Sequence, residues 1–141
     1  MANRFWIVFG DIHERIAAVE RIDDLALADG VFLSGDLTNL GTRESAGRIV
    51  SAVAEINPRV FAQIGNMDTQ AVDRMLTERG VNVHGRVQDL GGGVCLAAVG
   101  YSTPTPFGTP SEVDESIICQ WAHDVLEEAG SFEQVILMIH T

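Results

Sequence analysis

The sequence predicts an α/β fold in which short buried parallel strands alternate with helices. The strands are indicated by runs dense in valine, isoleucine and phenylalanine, and the helices by apolar residues that recur every three or four positions. In addition, four of these runs are each followed directly by a short polar motif. Polar residues in that place are typical of α/β proteins, which bind ligands at the carboxyl ends of their strands.

The four runs that precede polar motifs are residues 5–9, 31–33, 60–64 and 135–139, and we predict each as a strand. Segments with helical spacing follow the first three runs, as expected of right-handed crossover connections between parallel strands. The apolar positions that define these helices are Ile16, Val19 and Ile22, then Ala46, Ile49, Val50 and Val53, and finally Val72, Met75 and Leu76. The third helix is predicted to begin near Thr69 and to stop at Gly80.

From residue 81 onward the pattern changes to short strands, which we predict over residues 81–83, 87–90 and 94–99. A turn of three glycines at residues 91–93 separates the last two. A proline-rich connection over residues 101–110 follows, which cannot be helical. Ser111 and Asp114 then resemble a capping box that opens a last helix. Its inward-facing residues are predicted to be Val113, Ile117, Trp121 and Val125.

Candidate metal ligands lie in the four polar motifs. They are Asp11 and His13 in GDIH, Asp36 in SGDLTN, Asn66 and Asp68 in GNMD, and His140 in MIHT. Because parallel strands end at a common edge of their sheet, we expect these motifs to meet in space. An aspartate at a strand end also caps helices, but capping accounts for neither histidine. Oxygen and imidazole ligands without cysteine suit Mn, Fe, Zn or Mg.

The order of these motifs resembles that of the calcineurin-like metallophosphoesterases, particularly the small bacterial and archaeal phosphodiesterases. The resemblance runs from Arg4 to Thr141. It implies a single domain over residues 1–141 with a four-layer α/β/β/α sandwich, whose second sheet begins with the strands after residue 80. The family's fifth motif, GHxH, would follow His140, but the sequence ends at Thr141. We therefore expect a C-terminally truncated member with an incomplete second sheet. The oligomeric state is left open by the sequence, although unclosed strand edges invite self-association.

The resemblance also implies a dinuclear site. Asp11 and His13 would bind one divalent metal ion, Asn66 and His140 a second, and Asp36 would bridge both. Mn is favoured among Mn, Fe, Zn, Ni and Mg. In the family, a hydroxide between the ions attacks phosphorus in line, so the expected activity is hydrolysis of phosphodiesters or small phosphomonoesters. Without GHxH, each ion keeps three of its expected protein ligands.

The sequence departs from the family at two further positions. Met67 stands where many members have a histidine that assists the leaving group, and a thioether cannot donate a proton. Asp68, which orients that histidine in the family, keeps a predicted catalytic role beside Asn66 but has no evident partner. Asn39 replaces the second aspartate of the family's GDxxD pattern.

Composition excludes several classes of protein. The 141 residues suit one domain, and all nine basic residues are arginine, so no P-loop or Schiff-base lysine exists. The formal charge of −11 argues against duplex nucleic acid and anionic membranes as partners, and leaves a small phosphorylated substrate. No signal peptide or membrane span is evident, which predicts a cytoplasmic protein. We expect Cys95 and Cys119 to be reduced core thiols.

Two functions of different class remain open. One is a metallophosphoesterase, impaired by the truncation. The other is a catalytically degenerate binding or scaffold protein on the same fold, as in the retromer subunit that resembles these enzymes. A GHxH segment encoded downstream of Thr141 would favour the enzyme, and a stop codon would favour the degenerate protein.

Overall fold

The first of two β-sheets carries most of the predicted motifs. The computed structural model describes residues 3–141. The sheet consists of β1 (Ile7–Phe9), β2 (Val31–Leu33) and β3 (Val60–Ala62), in that order. Both pairings are parallel, so all three strands end at the same edge. All three residues of β2, the central strand, are buried, as its apolar composition predicts.

The second sheet has the order β4, β5, β6. Its strands are β4 (Arg86–Gly91), β5 (Val94–Val99) and β6 (Gln134–Ile139). The first two form an antiparallel hairpin across the glycine turn, whereas β6 runs parallel to β5. We expected all four strands that precede polar motifs to end at one edge of a single sheet, and β6 corrects this. A buried apolar run has the same pattern in either sheet, so the pattern could not assign β6 to one of them.

Four α-helices connect the strands, and a 3₁₀ turn follows the first and the last. The helices are α1 (Ile16–Val19), α2 (Arg43–Ile56), α3 (Gln70–Glu78) and α4 (Glu115–Glu128). The predicted stripe on α2 is confirmed, because all four of its apolar residues are buried. The Thr42 hydroxyl caps this helix by accepting a hydrogen bond from the Ser45 amide at 3.2 Å. No helix in residues 3–141 is both long and apolar enough to span a membrane.

Three apolar clusters hold these elements together. The first packs α1, α2 and α3 against the first sheet. The second takes buried side chains from both sheets, among them Phe32 of β2, Leu96 of β5 and Met138 of β6. The third packs α4 against β5 through Ile118 and Val125. Because all six residues of β5 are buried, alternate side chains of this strand serve the second and third clusters.

Two predicted elements differ from the structure. Residues 81–83 do not begin the second sheet: Asn82 forms a parallel bridge with Ala62, which extends the first sheet beyond β3. The Val83 amide donates to the Ala62 carbonyl at 2.9 Å. Helix α1 is a single turn that ends before Ile22, and Asp24 takes a left-handed conformation soon after it. Short apolar runs and single helical turns carry too few residues for periodicity to place them.

Two positions on α4 also differ. Ile117 is 38% exposed, and the buried positions are Ile118 and Val125, which lie seven residues apart on one face. Ser111 does not cap this helix, because its hydroxyl donates to the Asp68 carbonyl instead. Cys119 is exposed, whereas Cys95 is buried in β5 as predicted. The buried face of α4 therefore includes Ile118 in place of its neighbour Ile117, and Cys119 lies outside that face.

Phe32 tests whether the cluster between the sheets stabilises the fold. Its ring is fully buried, stacked with Trp6 at 6.4 Å and edge-on to Phe61 at 5.6 Å between ring centroids. Phe32→Ala should lower the free energy of unfolding by roughly 3–5 kcal/mol, because it leaves a cavity between two sheets. Phe107, which is 87% exposed, provides the same substitution at the surface. Phe107→Ala should change stability by less than about 0.5 kcal/mol. Equal urea midpoints for the two variants would contradict this role for Phe32.

Candidate metal centre

The four polar motifs converge although they come from two sheets. Asp11 and His13 follow β1, Asp36 follows β2 and Asn66 follows β3. His140 follows β6 of the second sheet, and its Nδ1 atom lies 3.1 Å from the carbonyl oxygen of Ser34, just beyond β2. The predicted meeting of these residues therefore occurs, but at the junction of the two sheets.

One group of potential ligands contains Asp11, His13 and Asp36. One ligand atom from each lies within 4.8 Å of the others. The Nε2 atom of His13 is 3.7 Å from Asp11 Oδ1 and 3.8 Å from Asp36 Oδ2. These distances are too long for hydrogen bonds and leave room for an ion between the three side chains. Asp11 is exposed and Asp36 is buried, so the group opens to solvent on one side.

A second group forms around the other oxygen of Asp36. The Nε2 atom of His140 lies 3.5 Å from Asp36 Oδ1 and 3.0 Å from Asn66 Oδ1. The Met67 amide also donates to Asp36 Oδ1 at 2.9 Å, which fixes the direction of the carboxylate. The two oxygens of Asp36 therefore face two different sets of side chains.

The carboxyl group of Asp36 is buried, where a negative charge is costly. Its side chain is only 6% exposed, and burial raises the pKa of its carboxyl group. The hydrogen bond from Met67 and the nearby His140 and His13 oppose this rise in pKa, whereas the Asp68 carboxylate adds to it. Of the described neighbours, only the two histidines can supply positive charge directly to Asp36. A bound cation would stabilise the ionised form further.

Two glycines make room for this arrangement. A Cβ atom at Gly65 would collide with Asp36 Oδ1 and would lie 2.7 Å from His140 Cε1. A Cβ atom at Gly35 would lie 2.8 Å from His140 Nδ1, and the φ angle of Gly35 is +117°. The glycines that precede Asp36 and Asn66 are therefore required by close packing of the loops around His140, in addition to ordinary turn geometry.

The backbone of the site is strained. Asp11, His13 and Asp36 have φ angles of 50°, 45° and 52°, in the left-handed region that residues with a Cβ atom disfavour. Such residues persist where the surrounding structure holds them, and they cluster at functional sites. In this chain they turn three side chains toward one point.

Asp68 lies beneath the site and has the partners that the sequence did not reveal. It is fully buried, and its carboxylate accepts four hydrogen bonds. The donors are the amides of Leu37, Thr38 and Gly65 and the hydroxyl of Thr38, at 2.8–3.1 Å. These bonds join the loop that carries Asp36 to the loop that carries Asn66. Its predicted catalytic role stays a prediction, whereas this geometry supports a positioning role.

Sequence reasoning missed three residues that contact the site from the proline-rich connection and the segment after it. The Asn66 side-chain amide donates to Thr109 Oγ1 at 3.0 Å. Glu112 accepts hydrogen bonds from Thr109, and the Ser111 amide donates to the Asn66 carbonyl at 3.0 Å. Threonine, serine and glutamate in a loop follow no pattern that could have indicated these contacts. Asn39, which stands where a GDxxD pattern would have its second aspartate, is exposed.

The donor set fits divalent metal ions. It combines carboxylate and amide oxygens with imidazole nitrogens, which suit Mn, Fe, Zn or Mg. Each of the two groups has three side chains when Asp36 is counted in both. Cations held here would create a local positive charge on a chain of formal charge −11.

The fold occurs in a known structure. No protein-family model matches the sequence, and no curated protein matches it significantly. The crystal structure of TT1561 of Thermus thermophilus is similar to this chain with a TM-score of 0.75 and 17% sequence identity. The match covers 99% of this chain and 68% of TT1561. At this identity the likeness shows that the two proteins share a fold.

Asp68→Asn tests the clamp, by which we mean the four hydrogen bonds that the Asp68 carboxylate accepts and that join the two loops. An amide keeps one acceptor oxygen but places an NH₂ group against backbone amides, so buried donors lose their partners. The free energy of unfolding should fall by roughly 3 kcal/mol. Asp23→Asn makes the same change at an exposed aspartate and should have little effect. Urea denaturation measures both, and a wild-type midpoint for Asp68→Asn would show that the clamp does not stabilise the fold.

Proposed function

We propose that this chain is a metal-dependent phosphoesterase of the calcineurin-like type, acting on phosphodiesters or small phosphomonoesters through two divalent ions. The observation that carries the proposal is the position of Asp36. One of its oxygens lies 3.8 Å from His13 and the other 3.5 Å from His140. A carboxylate with a separate ligand group at each oxygen is what a bridging ligand between two ions requires.

The packing supports the four-layer α/β/β/α sandwich that this family has. Helices α1–α3 pack on one face of the first sheet, and α4 packs on one face of the second. The cluster that contains Phe32 and Leu96 lies between the sheets. The shared fold with TT1561 is compatible with this arrangement, as is the occurrence of all four motifs at strand ends.

Each side chain has a distinct role under this proposal. Asp11 and His13 would hold one ion, Asn66 and His140 the other, and Asp36 both, with Mn favoured. When bound, the two ions supply Lewis acidity toward the phosphoryl oxygens and lower the pKa of a water nucleophile. Asp36 and His140 orient the site because both are largely buried, with side chains 6% and 9% exposed. Asp11 is 74% exposed and lies where substrate would enter.

Met67 sets a limit on the leaving group. Its backbone amide donates a hydrogen bond to Asp36, and its thioether side chain has no proton to donate. With no acid at this position, the departing oxygen leaves as an anion or takes its proton from water or from an acid elsewhere in the site. The proposed substrates are therefore small phosphoesters with good leaving groups, in keeping with the acidic composition, which disfavours duplex nucleic acid.

A second candidate, a binding or scaffold protein on the same fold, is favoured by one observation. Met67 removes an acid that many family members have, as expected of a chain that no longer catalyses. The two candidates differ in a measurable way, because a scaffold requires neither bound metal ions nor turnover.

Asp36→Asn is the sharpest test of the dinuclear proposal. The amide keeps the shape of the side chain but cannot bridge two cations as an anion. Mn²⁺-dependent hydrolysis of an aryl phosphodiester should fall by at least about 100-fold, since even loss of an outer partner of a ligand reduces affinity or activity about 10–100-fold. Glu14→Gln, a charge-neutralising change in the neighbouring loop, should retain the wild-type rate. An active Asp36→Asn variant would refute the bridge, and an inactive wild type without Mn²⁺ binding would favour the scaffold.

Met67→His tests the missing acid. Wild-type rates should depend steeply on the pKa of the leaving alcohol, so that aryl esters react far faster than alkyl esters. An imidazole that reaches the leaving oxygen should flatten this dependence, because general acid catalysis contributes about 10²–10⁴-fold where the leaving group is poor. Met67→Gln, of similar size but without an acidic proton, should keep the steep slope. Identical slopes for all three proteins would show that an acid from elsewhere serves, or that chemistry is not rate-limiting.

A further inference from the structure

The side-chain amide of Asn66 has two ends with opposite properties. Its Oδ1 atom lies 3.0 Å from His140 Nε2, and its Nδ2 atom donates to Thr109 Oγ1 at 3.0 Å. Only the oxygen can bind a cation, since the NH₂ group carries two hydrogens and no free lone pair. A rotation of the amide by 180° would therefore turn a ligand into a group that repels the ion.

The partners of Thr109 decide between these two orientations. A hydroxyl group has one proton to donate, and the Oγ1 atom of Thr109 lies 2.5 Å from Glu112 Oε1. An ionised carboxylate can only accept, so the Thr109 proton must point to Glu112. The hydroxyl oxygen is then left as an acceptor toward Asn66. Asn66 must present its NH₂ group to Thr109, and its oxygen is directed to the metal side.

Glu112 is held in the ionised form that this polarity requires. The same Oε1 atom accepts hydrogen bonds from the Thr105 hydroxyl at 2.6 Å and from the Thr109 amide at 2.7 Å. Together with the Thr109 hydroxyl, these donors lower the pKa of Glu112 to about 2. The carboxylate therefore stays charged at any pH at which the protein would be assayed.

We propose that Glu112 and Thr109 are positioning residues that fix Asn66 with its oxygen toward the second metal position. This inference rests on the proposed function, because it assigns Asn66 to an ion. Both residues act through the Asn66 side chain, and neither is assigned as a ligand. The relay from Glu112 through Thr109 sets the direction of the amide, whereas the hydrogen bond from the Ser111 amide holds only the backbone of Asn66.

The loop offers a matched control for this relay. Thr105 and Thr109 both donate a hydroxyl to the same oxygen of Glu112, but only Thr109 also contacts Asn66. Thr109→Val and Thr105→Val each remove one of these hydroxyls from the same loop. Thr109→Ser keeps the hydroxyl and should restore whatever Thr109→Val loses.

Calorimetric titration with MnCl₂ measures the consequence without requiring turnover. Wild type, Thr105→Val and Thr109→Ser should bind two equivalents with unchanged affinity. Thr109→Val should weaken one of the two equivalents by about 10–100-fold, the usual effect of losing an outer partner of a ligand. Equal affinities for Mn²⁺ in Thr109→Val and Thr105→Val would refute the positioning of Asn66 by Glu112 through Thr109. A general weakening of the loop would lower the affinity of both variants alike.

Spectra of the metal-free protein separate this inference from the proposed function. The Asn66 NH₂ resonances in ¹H–¹⁵N spectra should show slow exchange with solvent in wild type, Thr105→Val and Thr109→Ser, and fast exchange in Thr109→Val. Glu112→Ala removes the acceptor of the Thr109 hydroxyl, frees its proton for Asn66, and should give two sets of Asn66 resonances. If wild type binds no Mn²⁺, the proposed function fails, and these spectra still test the positioning role of Glu112 and Thr109. Unchanged Asn66 resonances in both Thr109→Val and Glu112→Ala would refute that role.

Discussion

The geometry of the candidate site depends on the buried carboxylate of Asp68. A carboxylate that is fully removed from water must have its oxygens satisfied, and here the donors come from the loops that follow β2 and β3. Those loops carry Asp36 and Asn66, so satisfying one buried charge also fixes the distance between two candidate ligands. The Ser111 hydroxyl donates to the Asp68 carbonyl and adds the segment after the proline-rich connection to the same assembly. Three loops that are far apart in sequence are thereby held together beneath the site.

The second constraint is the packing of the two sheets. His140 is the candidate ligand that follows a strand of the second sheet, and it reaches Asp36 because its ring also contacts the Ser34 carbonyl just beyond β2. The apolar cluster between the sheets therefore determines whether the second ligand group exists at all. Glycines at positions 35 and 65 let the backbone approach the imidazole closely enough. Packing in the core and chemistry at its edge are two aspects of one arrangement.

Much of this could be predicted from the sequence, for identifiable reasons. The strands of the first sheet and the stripe on α2 follow from apolar periodicity, and the candidate ligands follow from their position after apolar runs. The assignment of β6 to the second sheet could not be predicted, since periodicity reports burial and not which sheet a strand joins. The contacts of Asp68, Thr109 and Glu112 could not be predicted either. They depend on how irregular loops fold over one another, and no sequence spacing encodes that.

The left-handed backbone at Asp11, His13 and Asp36 has a consequence for how this chain can change over generations. Left-handed non-glycine residues cost about 1–3 kcal/mol each, so replacement by glycine would relieve strain wherever the side chain is not needed. In a lineage that had abandoned the site, glycine at Asp11 or His13 would relieve this strain, whereas glycine at Asp36 would also leave the Met67 amide without its acceptor. Asp11 and His13 should therefore be replaced sooner than Asp36 in descendants in which the chemistry no longer matters.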